Sequence, residues 1–60
     1  MSAEVIGSVT SPSNGKTYEV KWDSYNNDTY VSYAGWTEVG KASDSSDALD
    51  KSTGWLASNS

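Results

Sequence analysis

A run of strictly alternating polarity constrains this chain more than any other feature. Within residues 16–23, Tyr18, Val20 and Trp22 alternate with polar side chains. Successive side chains of a β-strand point to opposite faces of the sheet, so this pattern predicts a strand with one buried and one wet face. Turn-forming residues stand on both sides of it. The segment is therefore predicted as a middle strand of an antiparallel meander.

The preceding turn is marked by Asn14-Gly15, a strong hairpin signal because both residues tolerate positive φ. Two registers fit it. A two-residue turn sets Val9 opposite Val20, whereas a four-residue loop over 12–15 sets Val9 opposite Tyr18. Both registers place Val5, Gly7 and Val9 of the first strand, predicted over 3–10, on the core face. Ile6 then points outward.

The following turn contains Asn26 and Asn27. With these two at the tip, Trp22 is predicted opposite Val31, and Val20 opposite Tyr33. The core face then continues onto a further strand.

That third strand is predicted to run from Thr29 to Val39, with Gly35 as a bend or bulge. A tight turn at residues 34–35, which would create a fourth strand, is the alternative. It ranks second because a two-residue turn there sets Glu38 opposite Val31 on the core face.

The C-terminal part has the features of one helix. Asp44 offers a capping side chain, and a helix is predicted from about Ser45 to Ala57. Its apolar stripe consists of Ala48, Leu49, Ser52, Trp55 and Leu56. Packing this stripe on the sheet predicts an α+β fold, three or possibly four antiparallel strands followed by a helix. Residues 1–60 are expected to form one domain, with 58–60 as a disordered tail.

Composition excludes several functions. Eight acidic residues against four lysines give a formal charge of −4, and arginine is absent. Proteins that bind nucleic acids or anionic membranes use clustered Lys and Arg, so both partners are disfavoured. No apolar run approaches the roughly 20 residues of a membrane span. The first ten residues lack the features of a signal peptide, and the expected location is cytoplasmic.

No catalytic motif is recognisable, and cysteine and histidine are absent. Asp44, Asp47 and Asp50 are spaced along one helix side, but capping and dipole effects explain acids at a helix start without a metal. A chain of 60 residues also has little room for a deep catalytic pocket. The sequence therefore predicts a non-enzymatic protein that uses no cofactor or metal.

Exposed aromatic residues are the remaining functional signal. Tyr30 and Trp36, with Ile6, are predicted on the outer sheet face as a candidate binding surface, although a bend at Gly35 would return Trp36 to the core. On one strand, Tyr30 and Trp36 would be ~20 Å apart, which suits an extended partner. We therefore expect a protein-interaction or self-association module that binds a protein partner or forms a homo-oligomer. A small-ligand or carbohydrate-binding module is the alternative, and nucleic-acid binding ranks third.

Overall fold

The computed structural model describes residues 3–60, which form four strands and one helix. In chain order these are β1 (Glu4–Thr10), β2 (Thr17–Asp23), β3 (Asp28–Ser32), β4 (Trp36–Lys41) and α1 (Ser45–Asn59). The strands form one antiparallel sheet in the order β1-β2-β3-β4, and the helix contacts all four of them. The predicted α+β class is confirmed, with four strands.

A small apolar core lies between helix and sheet. Val20, Val31 and Leu56 are completely buried at its centre. The helix meets the sheet through the predicted stripe, because Ala48, Ser52 and Leu56 are its buried residues. Partly buried side chains surround the centre: Ile6, Val9, Tyr18, Tyr33, Val39, Leu49 and Trp55. The periodicity of the helix and of β2 therefore identified most of the core.

A β-bulge in β1 reverses the predicted faces of that strand's first half. Glu4 is paired with Trp22 and Val5 with Lys21, but Gly7 is paired with Val20, so one extra residue lies between Val5 and Gly7. A bulge changes which side chains face the core. Val5 is consequently 52% exposed, and Ile6 packs against the core. The predictions of a buried Val5 and an outward Ile6 are wrong.

The first hairpin has the register predicted for the longer loop. Val9 is paired with Tyr18. The Ser11 N–H donates to Lys16 O at 2.7 Å, and the Gly15 N–H donates to Ser11 O at 2.9 Å. Gly15 has a φ of +75°, a conformation that glycine adopts without steric cost.

The second hairpin differs from prediction by two residues of register. Val20 is paired with Val31 and Trp22 with Thr29, so the predicted partners were wrong. Asp23 explains the wider turn, since its carboxylate accepts backbone N–H groups of Tyr25 at 2.9 Å and Asn26 at 3.4 Å. The hydrogen bond from Tyr25 is the main reason that the pKa of Asp23 is lowered, and burial opposes it.

A third turn divides the long strand predicted over 29–39. Residues 33–35 connect β3 to β4, with φ of +55° at Ala34 and +90° at Gly35. The turn has three residues rather than two, so Glu38 is paired with Tyr30 on the outer face. The objection to a fourth strand disappears, because no glutamate faces Val31.

The helix begins where predicted and continues further than expected. The Asp44 carboxylate accepts the Asp47 N–H at 2.8 Å as an N-cap. The helix then runs past the predicted end at Ala57 to Asn59, and the Ser60 N–H donates to Leu56 O at 3.0 Å. No helix in the described part of the chain has the length and apolar character needed to cross a membrane.

One polar group in the core gives a stability prediction. Thr29 is fully buried, and its hydroxyl has no hydrogen-bond partner among residues 3–60. An unsatisfied buried hydroxyl costs about 1–3 kcal/mol. Thr29→Val has nearly the same shape and lacks this group, so we expect it to raise the free energy of unfolding by about 1 kcal/mol.

Chemical denaturation of both proteins measures that difference. Thr37→Val serves as the control, because the Thr37 hydroxyl does donate, to Tyr33 O at 2.9 Å, and its loss should not stabilise the domain. A Thr29→Val protein that is less stable than wild type would contradict the assignment.

Candidate binding surfaces

The face of the sheet that is turned away from the helix carries a mixed aromatic and charged surface. Val5 is paired with Lys21, Lys21 with Tyr30, and Tyr30 with Glu38. Because paired residues point to the same side, these four form one row across all four strands. Trp36 lies in the neighbouring row beside its pair partner Ser32. We call Val5, Lys21, Tyr30, Trp36 and Glu38 the outer patch.

Tyr30 and Trp36 are close neighbours rather than distant ones. Tyr30 is paired with Glu38, and Trp36 is two residues from Glu38 on the same strand. Such diagonal neighbours are about 7–8 Å apart. The ~20 Å expected for two residues on one strand was wrong, because the turn at 33–35 places them on adjacent strands. The question about Trp36 is also answered, since it is 42% exposed and not part of the core.

Lys21 is one of three members of this surface, with Val5 and Glu38, that were not among the predicted site residues. Its Nζ lies over the Trp36 ring, 4.2 Å from the ring centroid. Lys21 is on β2 and Trp36 on β4, so the lysine reaches across the small side chain of Ser32 on β3. Contacts of this kind contribute about 0.5–1 kcal/mol at exposed sites. The contact also favours one position of the exposed Trp36 ring.

Charges surround the phenol of Tyr30. Burial raises its pKa, and the carboxylates of Asp28 and Glu38 raise it further. The phenol therefore remains protonated at neutral pH and is able to donate a hydrogen bond. Asp28 itself is paired with Lys41, and the hydrogen bond from Lys41 to Asp28 is the main reason that the pKa of Lys41 is raised.

Both edges of the sheet are interrupted. The edge strand β1 contains the bulge between Val5 and Gly7. The register of the other edge strand, β4, shifts between its pairs with Thr29 and Tyr30, which leaves Val39 as the extra residue. Bulges twist an edge away from regular pairing and are a common protection against strand addition. The edges are thus less suited to binding a partner than the outer patch.

Ile6, the third predicted site residue, lies elsewhere. The bulge places it on the helix side of the sheet, where it lines an open cleft with Glu4, Trp22, Ser24 and Ser45. Tyr30 and Trp36 are thus brought together, and Ile6 is separated from them by the thickness of the sheet. Gly7, inside a predicted strand, was the available signal for a bulge.

The aspartates at the helix start have structural partners. Asp44 caps the helix. Asp47 accepts the Ser43 N–H at 3.2 Å and pairs with Lys51 at 3.5 Å. Across residues 3–60, no group of three acidic side chains converges in a way that could hold a metal ion.

The chain was compared with known proteins in three ways. Neither the protein-family models, nor the curated proteins, nor the solved structures contain a match to it.

Proposed function

We propose that this protein is a non-enzymatic self-association module, in which two copies pack through their outer patches. The observation that carries the proposal is the exposure of two large apolar side chains on one face. Val5 is 52% exposed and Trp36 is 42% exposed. They belong to opposite edge strands, so about three strand spacings, roughly 14 Å, separate them. A partner with a flat surface covers both side chains, whereas a single small ligand covers only one of them.

The charges of the outer patch favour a second copy as that partner. Lys21 and Glu38 lie in the same row of the sheet. Glu19 lies near Trp36, because the Glu19 backbone N–H donates at 2.9 Å to the hydroxyl of Ser32, the pair partner of Trp36. A twofold contact brings the same surface together from both copies. Lys21 of each copy can then meet Glu19 or Glu38 of the other. A twofold axis parallel to the strands would also set Val5 of one copy above β4 of the other, beside Trp36.

The size of the face indicates the strength of the contact. Four strands of about six residues cover on the order of 20 by 20 Å, so two faces bury about 800 Å² in total. Stable complexes bury about 1,200–2,000 Å². We therefore expect a weak, reversible dimer with a Kd in the micromolar to millimolar range.

Sedimentation across protein concentrations from about 10 μM to 1 mM tests this. The double change Tyr30→Ser with Trp36→Ser is expected to weaken association at least tenfold. It should cost little stability, since both side chains lie on the face turned away from the core and the contact between Lys21 and Trp36 is exposed. Tyr25→Ser is the matched control, because Tyr25 is 76% exposed in the turn before β3 and outside the patch.

Two results would contradict the proposal. One is a wild-type protein that remains monomeric at 1 mM. The other is a double variant that is folded and associates like wild type. Unfolding of the double variant would mean that these aromatic side chains support the core instead.

Carbohydrate binding is the second candidate, and the proximity of Tyr30 and Trp36 favours it. Two adjacent aromatic rings with Glu38 and Lys21 beside them offer both a stacking surface and hydrogen-bonding groups. However, the ammonium group of Lys21 already occupies a position over the Trp36 ring. Titration with glucose, galactose and cellobiose, monitored by tryptophan fluorescence, distinguishes this function. A change that is lost in Trp36→Ser and kept in Tyr25→Ser would support it.

A further inference from the structure

An open cleft of about 260 Å³ lies on the opposite side of the sheet from the outer patch, near the beginning of the helix. Its walls are Glu4, Ile6, Trp22, Ser24 and Ser45. They come from β1, β2, the turn that follows β2 and the first residue of α1. Neither the packing of the core nor the outer patch depends on a cleft between these residues.

We propose that this cleft binds a small organic cation, an ammonium group with a short apolar chain. Among residues 3–60, Glu4 is the only charged residue in the wall, so the cleft disfavours anions. Trp22 and Ile6 supply an aromatic and an aliphatic surface, and Ser24 and Ser45 supply hydroxyl groups. A carboxylate beside an indole is a combination that attracts cations, by charge and through the aromatic ring.

Glu4 has no ion-pair partner among residues 3–60. It is paired with Trp22 across the first hairpin, and it takes part in neither of the ion pairs recorded for residues 3–60, which are Lys41–Asp28 and Lys51–Asp47. The positive end of the helix near the cleft does not neutralise the charge of Glu4, because two carboxylates already lie there. Asp44 accepts the Asp47 N–H, and Asp47 accepts the Ser43 N–H.

The cleft walls are held in place. The Trp22 indole N–H donates to Ala42 O at 3.1 Å, and Ala42 is itself buried. Ile6 is in the wall because of the bulge in β1, which exposes Val5 on the other face. The volume is just below the roughly 300–1,000 Å³ typical of ligand sites, so only a small molecule fits.

Titration with n-butylammonium chloride, followed by the NMR resonance of the Trp22 indole N–H, tests the proposal. We expect saturable shifts with a millimolar Kd, since one exposed ion pair contributes little. Butyrate and n-butanol, which have a similar chain without the positive charge, should produce at most weak shifts. Glu4→Gln is expected to raise the Kd for n-butylammonium threefold or more.

Asp50→Asn is the control, because Asp50 is an exposed carboxylate on α1 outside both the cleft and the outer patch, and the Kd of this variant should equal that of wild type. Three outcomes would overturn the proposal: no shift up to 100 mM, equal shifts with n-butanol, or an unchanged Kd in Glu4→Gln. The Tyr30→Ser, Trp36→Ser variant should bind like wild type. The result is therefore independent of whether the outer patch mediates association.

Discussion

A chain that ends at Ser43 is expected to lose cooperative folding entirely. The helix beyond this point covers the apolar face of the sheet, including the buried Val20 and Val31. Without it, both faces of a four-stranded sheet are wet, and the remaining apolar contacts cannot offset the conformational entropy of about 40 ordered residues. Circular dichroism and amide dispersion in NMR spectra measure the outcome. Well-dispersed resonances from a monomeric truncated chain would contradict it.

A pair of point changes separates loss of helix packing from general effects of truncation. Ala48 is completely buried and Ala57 is exposed on the same helix. Ala48→Lys places a charge against the sheet without a partner and is expected to unfold the domain. Ala57→Lys puts a cation near the helix C-terminus, where the helix dipole favours it, and should leave stability within about 0.5 kcal/mol.

Leu56→Ala is also expected to have a large effect on stability. Leu56 is fully buried and completes the core with Val20 and Val31. Replacing a buried leucine with alanine costs about 2–5 kcal/mol, through lost apolar burial and the cavity left behind. A domain of this size has a stability of about 3–9 kcal/mol. The variant should therefore be largely or completely unfolded at moderate temperature, and most or all of its cooperative thermal transition should be lost.

Val5→Ala is the comparison that gives this result its meaning. It also removes apolar atoms, but from a side chain that is half exposed on the outer face. Measured at low protein concentration, where the copies are separate, its cost should stay below about 0.5 kcal/mol. If Val5→Ala were as damaging as Leu56→Ala, the face assignment of β1 would be wrong.

Side-chain periodicity predicted those parts of the fold that have a regular period. The alternation in β2 and the helical stripe from Ala48 to Leu56 both place the core correctly. The bulge in β1 could not be predicted in the same way. Val5 and Ile6 are both apolar, so either one satisfies the pattern, and only the contacts of the assembled sheet select Ile6.

The turns were the second limit of prediction. Asn and Gly residues marked where two turns occur but not their length, and each change of one or two residues moves a register. The length of the second turn is set by the Asp23 carboxylate, which accepts the backbone N–H groups of Tyr25 and Asn26. Positive φ at Ala34 was not expected for a non-glycine residue, and this conformation closes the third turn.

Prediction of the outer patch was limited by the same bulge and turns. Alternation placed Tyr30 and Trp36 on the outer face, where Trp36 is exposed and Tyr30 is half-buried, but their distance depended on a turn that had been ranked second. The contact of Lys21 with Trp36 crosses an intervening strand. A relation of that kind becomes visible only when the strand order is known.

The strand order has a consequence for how this chain can assemble. Each strand is paired with the next one in sequence, and the connections span only residues 11–16, 24–27 and 33–35. All sheet contacts thus form through local loop closure, which favours rapid folding. Contacts between α1 and β1 instead join the two ends of the described chain. During synthesis, the sheet can pair strand by strand, while its apolar face stays open to other chains until the helix has been made.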